Sequence, residues 1–127
     1  MKKLIALSAL LATNCFASVD ATVTINPTTG YKNQYFNIYS THTVSITNGT
    51  LTAQPYDYFF SLCPQVETCT NQNRHVILQS GQNFTDKITL TARAMYHVAG
   101  HFPVYASTGI AGIERLSRQA NSSSTVY

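Results

Sequence analysis

The chain has 127 residues, and its eight basic and five acidic side chains give a formal net charge of +3, with 10% of residues charged. This length suffices for one domain with one hydrophobic core and is too short for two. The sparse charge argues against a basic surface that binds nucleic acid, and the abundance of threonine and tyrosine favours a β protein over a helical one.

The first 17 residues have the three-part layout of a secretory signal peptide. Lys2 and Lys3 give a positive start, residues 4–12 form a short apolar run, and small side chains up to Ala17 precede a cut ahead of Ser18. The apolar run is about half of the roughly 20 residues that a membrane-spanning helix needs, so we expect no transmembrane span. The sequence therefore predicts an exported protein of bacterial type.

Removal of residues 1–17 changes both the charge balance and the cysteine count. Lys2 and Lys3 are lost, so the mature chain carries six basic and five acidic side chains. Cys15 is lost as well, unless it is acylated as in a lipoprotein. The bulky Asn14 argues against acylation, because a small residue is expected just before such a cysteine. We expect the mature protein in the periplasm, at the outer membrane or outside the cell.

Two cysteines remain, and their spacing predicts a local disulfide. Cys63 and Cys69 have five residues between them, whereas a thioredoxin-like redox pair has two and a structural zinc site needs about four Cys or His ligands. In an exported chain, an even number of cysteines at short spacing is most simply a disulfide. Closing so small a loop stabilises the fold by about 2 kcal/mol.

The first strand signals alternate, and one of them contains a turn motif. In "ATVTIN" the apolar residues share one face, and in "YFNIY" Phe36 and Ile38 do so. In "VSITNGTLTA" the pair Asn48-Gly49 is typical of a type I′ hairpin turn, in which both central residues have positive φ. That turn would set Ile46 opposite Leu51 and match apolar with apolar residues along both strands, so we predict a hairpin here.

Further strand signals follow along the chain. "YDYFFSL" alternates, "HVILQ" (75–79) resembles a short buried strand, "SGQN" (80–83) is a turn signal, and "FTDKITLTARA" alternates over its whole length. "AGHFPVYAST" places Phe102 and Val104 inward, with Pro103 on the other face, where it suits an edge strand or a bulge. Residues 113–127 are expected to form a short helix or a mobile tail.

About seven short strands separated by turns predict a single antiparallel β-sandwich over residues 18–112. "LTARAMYHVAGHFPVYA" resembles the passage between the last strands of immunoglobulin-like domains, with Gly100, Phe102 and Val104 at the positions that start such a strand. The chain lacks tryptophan, and its two cysteines lie too close together to join two sheets. The resemblance implies an immunoglobulin-like fold and no particular function.

Chemistry-bearing residues are few. His97 and His101 are weak candidates for a copper or zinc site, because no third ligand has a suitable spacing. No nucleophile has a supporting local motif, and no two acidic residues of the mature chain are close in sequence, so we predict no enzyme and no cofactor.

Four aromatic residues fall on the faces opposite the predicted core: Tyr35, Tyr39, Phe59 and Tyr105. Such amphipathic rings suit protein interfaces and, beside asparagine and glutamine, sugars. The sequence therefore predicts a non-catalytic interaction or structural module, an accessory subunit of a bacterial cell-envelope assembly whose partners are other envelope proteins. A homo-oligomer within that assembly is compatible with this prediction. A secreted adhesin or carbohydrate-binding module is the alternative, and a periplasmic copper or zinc carrier is a weaker one.

Overall fold

The computed structural model describes residues 18–26, 28–64, 69–111 and 116–127. The predicted signal peptide lies outside this part of the chain. Eight strands form two packed sheets: β1 (Ser18–Ile25), β2 (Thr28–Gly30), β3 (Phe36–Thr47), β4 (Gln54–Pro64), β5 (Thr70–Leu78), β6 (Asn83–Ala94), β7 (Gly100–Ile110) and β8 (Arg118–Val126). The predicted all-β sandwich is confirmed, and the strand order of its two sheets is immunoglobulin-like. Within the described ranges, no helix is long and apolar enough to cross a membrane.

The two sheets have three and five strands. The smaller has the order β1-β3-β6 and the larger the order β2-β8-β7-β4-β5. Neighbouring strands are antiparallel, except that the short β2 runs parallel to β8. Most connections cross from one sheet to the other, and β4–β5 and β7–β8 are the pairs of successive strands that lie side by side.

Side-chain alternation places the core between the sheets. The inward residues of "YDYFFSL", "FTDKITLTARA" and "AGHFPVYAST" are those that the sequence predicts, and Phe60, Leu62 and Val104 are at most 1% exposed. Gly100 begins β7, as the resemblance to immunoglobulin-like domains implies. At this end of the core, Tyr96 stacks on Phe102 with ring centroids 4.0 Å apart.

The predicted hairpin at Asn48-Gly49 is wrong. Asn33 is the non-glycine residue with positive φ in the described chain, so Asn48 lacks the backbone of a type I′ turn. Strand β3 pairs instead with β1 and with the distant β6 over twelve residue pairs, and Leu51 is 66% exposed. The expected matching of apolar residues is a weak test, because any two alternating segments satisfy it.

Asn48 instead stabilises the connection by which the chain crosses from β3 in one sheet to β4 in the other. Its Nδ2 donates to the carbonyls of Thr52 and Leu78, both at 2.9 Å, and its Oδ1 accepts from the Thr50 amide at 3.0 Å. Its backbone N–H donates to the carbonyl of Gln82. The side chain is fully buried and has both donors and its acceptor satisfied.

Asn48→Ala is expected to lower the free energy of unfolding by about 2 kcal/mol, because the buried carbonyl of Leu78 and the amide of Thr50 lose their partners. Asn48→Asp is the comparison variant, because aspartate keeps the oxygen that accepts from Thr50 and removes the N–H donors to Thr52 and Leu78. Urea unfolding measures both. Two variants as stable as the wild-type protein would contradict this role of Asn48.

Two further predictions need correction. Residues 118–126 form β8, which pairs with β7 over nine residue pairs, so this segment is neither helix nor tail, and the sandwich extends beyond residue 112. Residues 113–115 of the predicted helix or tail lie outside the described part. Strand β5 is an edge strand rather than a buried one, and its Ile77 is 60% exposed.

Pro103 does not lie on an edge strand, because β7 is bordered by β4 and β8. The β4 ladder ends at the pair Pro64–Val104, so Pro103 lies just beyond it. There its missing N–H does not interrupt the β4 pairing.

The predicted disulfide between Cys63 and Cys69 is present, with the two Cα atoms 4.2 Å apart. It joins the end of β4 to the residue before β5. The bond therefore closes the connection of a hairpin within the five-stranded sheet.

Candidate interaction surfaces

The four outward aromatic residues divide between the two sheets. Tyr39 lies on the outer face of the three-stranded sheet, and Tyr35, the residue before β3, contacts Arg93 of the same sheet. Phe59 and Tyr105 lie on the outer face of the five-stranded sheet. Tyr35, Tyr39 and Tyr105 are 55%, 40% and 43% exposed, and Phe59 is half-buried. They therefore belong to two separate surfaces and not to one.

On the three-stranded sheet, Tyr35, Asn37, Tyr39 and Arg93 form what we call the tyrosine–arginine cluster. The Arg93 guanidinium carbon lies 3.8 Å from the centroid of the Tyr35 ring. Arg93 pairs with Asn37 across β3 and β6, and Asn37 Nδ2 donates to the Tyr39 hydroxyl at 3.4 Å. A cation over an exposed ring contributes about 0.5–1 kcal/mol, which helps to hold the ring in one orientation.

On the five-stranded sheet, the Phe59 ring borders a cavity of about 430 Å³, which we call the Phe59 pocket. Its other lining residues are Ser107, Ser117, Arg118 and Gln119. An aromatic residue, two serines, a glutamine and an arginine thus line one concave site. This composition suits a polar ligand with one flat apolar face.

The two histidines of the metal hypothesis have separate hydrogen-bond partners. His97 Nδ1 lies 2.8 Å from Asn33 Oδ1, and His101 Nδ1 lies 3.2 Å from Thr125 Oγ1. The part of the chain that the structure describes contains no group of three or more His, Cys, Asp or Glu that could hold a metal ion. Nothing in this geometry favours His97 and His101 as a site.

A polar network links the edges of the two sheets. Asp86 Oδ2 on β6 accepts from the Tyr58 hydroxyl at 2.7 Å and from Arg74 Nη1 on β5 at 2.8 Å. Burial, followed by the hydrogen bond to Asp86, raises the pKa of Tyr58 to about 12. A second acid–base pair, Asp57 with His75 at 2.6 Å, lies exposed on the outer face of the five-stranded sheet.

One histidine lies inside the core. His42 Nε2 is 2.6 Å from Ser40 Oγ, its ring meets Phe60 edge-on, and the side chain has no exposed surface. Burial lowers the pKa of His42 to about 4, and the backbone of Ser107 acts weakly in the opposite direction. The sequence analysis did not single out His42, although its position four residues after Ile38 and two before Val44 places it on the inward face of β3.

Other residues of these surfaces had weaker signals in the sequence. Arg118 and Gln119 belong to the segment that the sequence analysis assigned to a helix or tail, so their place beside Phe59 was not foreseen. Arg93 alternates outward in "FTDKITLTARA", but its partner Tyr35 is far away in sequence. Pairing such residues requires the strand order, which local patterns do not contain.

No protein-family model and no curated protein matches the sequence. Among solved structures, the chain is similar to the CARDB domain of the PF1109 protein from Pyrococcus furiosus, solved in complex with di-metal ions, at 14% identity and a TM-score of 0.47, over 88% of this chain and 90% of that one. It is also similar to β-glucosidase from Listeria innocua in complex with gluconolactone, at 12% identity and a TM-score of 0.50.

The β-glucosidase alignment covers 88% of this chain but only 16% of that enzyme. The putative ApaA protein from Bordetella pertussis is similar at 13% identity and a TM-score of 0.41, over 85% of this chain and 89% of that one. At such identities the likeness concerns the fold alone. The class that the strand order and the cysteine pair define is an immunoglobulin-like β-sandwich with one local disulfide.

Proposed function

We propose that this chain is a non-catalytic, exported interaction module that docks on another protein of the cell envelope, such as a subunit of a secretion or surface apparatus. The observation that carries the proposal is the tyrosine–arginine cluster. Tyrosine and arginine are among the residues that most often dominate protein interfaces, and here Tyr39 on β3 and Arg93 on β6 are exposed on two paired strands. Side chains held in this way lose little conformational entropy on binding.

One feature of the fold supports export. The disulfide between Cys63 and Cys69 is a bond that persists in oxidising compartments and is rare in the cytosol. A disulfide-bonded sandwich outside the cytosol is a suitable scaffold for a docking surface.

The native size of the protein in a gently solubilised envelope extract tests this function. We expect the wild-type protein to migrate with a large complex, and the double variant with Tyr39→Ala and Arg93→Ala to be released from it. Loss of hot-spot residues costs about 2 kcal/mol, which weakens binding roughly thirtyfold. Tyr105→Ala is the matched control, because it removes an equally exposed tyrosine from the opposite sheet.

Migration of the wild-type protein as a free single domain would count against the assembly role. Recovery from the cytosol with free thiols would count against export. Retention of the double variant in the complex would show that docking uses a different surface.

A further inference from the structure

We propose that the outer face of the five-stranded sheet binds an oligosaccharide that carries carboxylate groups, with Phe59 as its principal stacking residue. This inference deepens the interaction role and rests on it only in assuming that the face is accessible outside the cell. The proposed protein contact uses the opposite sheet, so the two surfaces can be occupied together.

The Phe59 ring is available because its neighbour has no side chain. Phe59 pairs with Gly109 of β7, so no side chain covers the ring from that strand. A Cβ atom at Gly109 would lie 2.5 Å from Ser117 Oγ and 2.6 Å from Ser117 Cα. Glycine therefore allows the chain at Ser117 to approach and to form one wall of the pocket.

The polar lining offers both donors and acceptors to sugar hydroxyls. Ser107 and Gln119 line the pocket, and Ser107 pairs with Gln119 on β8 and with Ser61 on β4, so two hydroxyls and an amide form one row across these three strands. Such groups replace the water that a pyranose ring loses, while the aromatic ring covers its C–H face.

Arg118 supplies the preference for an acid group. The acidic side chains of the described ion pairs are Asp86 and Asp57, which contact Arg74 and His75. Arg118 has no carboxylate partner among the described residues, and its Nη1 lies 3.4 Å from the carbonyl of Ser117. Arg118 lines the same pocket as Phe59, and a guanidinium there is suited to the planar carboxylate of a uronic acid.

A second exposed ring, that of Tyr105, extends the proposed binding face along the five-stranded sheet. Tyr105 lies four residues before Gly109 on β7, which places its row about 14 Å from that of Phe59 at the usual rise per strand residue. Tyr105 pairs with Asn121 on β8, so an amide again accompanies the ring. Two rings at this separation match a short oligosaccharide better than a single sugar.

The test is titration calorimetry on the exported, disulfide-bonded protein with hexagalacturonate, a neutral galactose hexamer and polyglutamate as probes. We expect hexagalacturonate to bind with a dissociation constant of about 1 mM or tighter, and polyglutamate not to bind. Phe59→Leu should weaken binding roughly tenfold, whereas Phe59→Tyr should retain it. Arg118→Gln should abolish the preference for the acidic over the neutral hexamer.

Tyr39→Ala, on the opposite sheet, should leave the affinity unchanged. Absence of hexagalacturonate binding at millimolar concentration, equal binding of polyglutamate, or an unchanged affinity in Phe59→Leu would each overturn the proposal. Thermal melts show whether Phe59→Leu remains folded, and Phe59→Tyr provides a folded reference. A Phe59→Leu protein that loses the sugar but still migrates with the envelope complex would separate this inference from the docking function.

Discussion

Replacing Asp86 with alanine is expected to lower the free energy of unfolding by about 2–3 kcal/mol. The change leaves the Tyr58 hydroxyl without its acceptor in a residue that is 3% exposed, and it removes the anion that faces Arg74. Most of the cost comes from Tyr58, because the Arg74 side chain is 39% exposed and can turn toward water. Chemical denaturation at neutral pH measures the effect.

Asp57→Ala provides the matched control for Asp86→Ala. Asp57 also pairs with a basic side chain at short distance, but its side chain and that of His75 are 70% and 55% exposed. Exposed pairs of this kind contribute less than about 1 kcal/mol. Equal losses of unfolding free energy in Asp86→Ala and Asp57→Ala would contradict a stabilising role for the Asp86 link between the sheets.

A double-mutant cycle with Tyr58→Phe separates the contributions to the Asp86 site. If the Tyr58–Asp86 hydrogen bond dominates, Tyr58→Phe should make the further loss in Asp86→Ala much smaller. Asp86→Asn should be milder than Asp86→Ala, because an amide oxygen can still accept from the hydroxyl.

The network containing Asp86 also supports both of the surfaces that we propose for binding. Asp86 and Arg74 connect the edge strands of the two sheets, so each outer face is supported by a sandwich that is closed along that side. The tyrosine–arginine cluster and the Phe59 pocket lie on opposite faces of this frame. A ligand on one face therefore need not displace a partner on the other.

The inward faces of the strands were predictable because alternation is a local property. In β4 and β6 the pattern alone identified the buried side chains, since every second residue is apolar there. Asp86 is the exception: it shares the inward face with Phe84 and Ile88, and its charge gave no hint of a partner across the sandwich. The disulfide was equally local, because six positions in sequence bring Cys63 and Cys69 within reach.

Strand partners were not predictable, because pairing depends on the whole fold. The Asn48-Gly49 motif favoured a neighbouring partner for β3, whereas the structure gives it β6 and uses Asn48 to hold the crossover. Strand β8 was not predicted because its inward positions are too polar for the usual strand pattern. They carry Ala120, Ser122 and Ser124, and only then the apolar Val126. Strand β8 is held by its backbone pairing with β7, which a side-chain pattern does not reveal.

Acidification is expected to destabilise the protein through His42. The folded state holds the pKa of His42 at about 4, against 6.5 as the ordinary value that applies to the unfolded chain. Between these values the unfolded state binds more protons, so the free energy of unfolding falls as the pH falls from 6.5 to 4. The loss reaches about 3 kcal/mol and stops below pH 4, where both states are protonated.

His42→Gln tests this expectation because glutamine can still bond Ser40 but does not titrate. Carboxylates contribute to acid unfolding in both proteins, so the decisive quantity is the difference between their stabilities as a function of pH. That difference should change by about 3 kcal/mol between pH 6.5 and 4 and stay constant above and below this window. In NMR titrations of the folded wild-type protein, the His42 ring should remain neutral at pH 5. A midpoint near 6.5 would mean that burial does not penalise the charged ring and that acid sensitivity arises elsewhere.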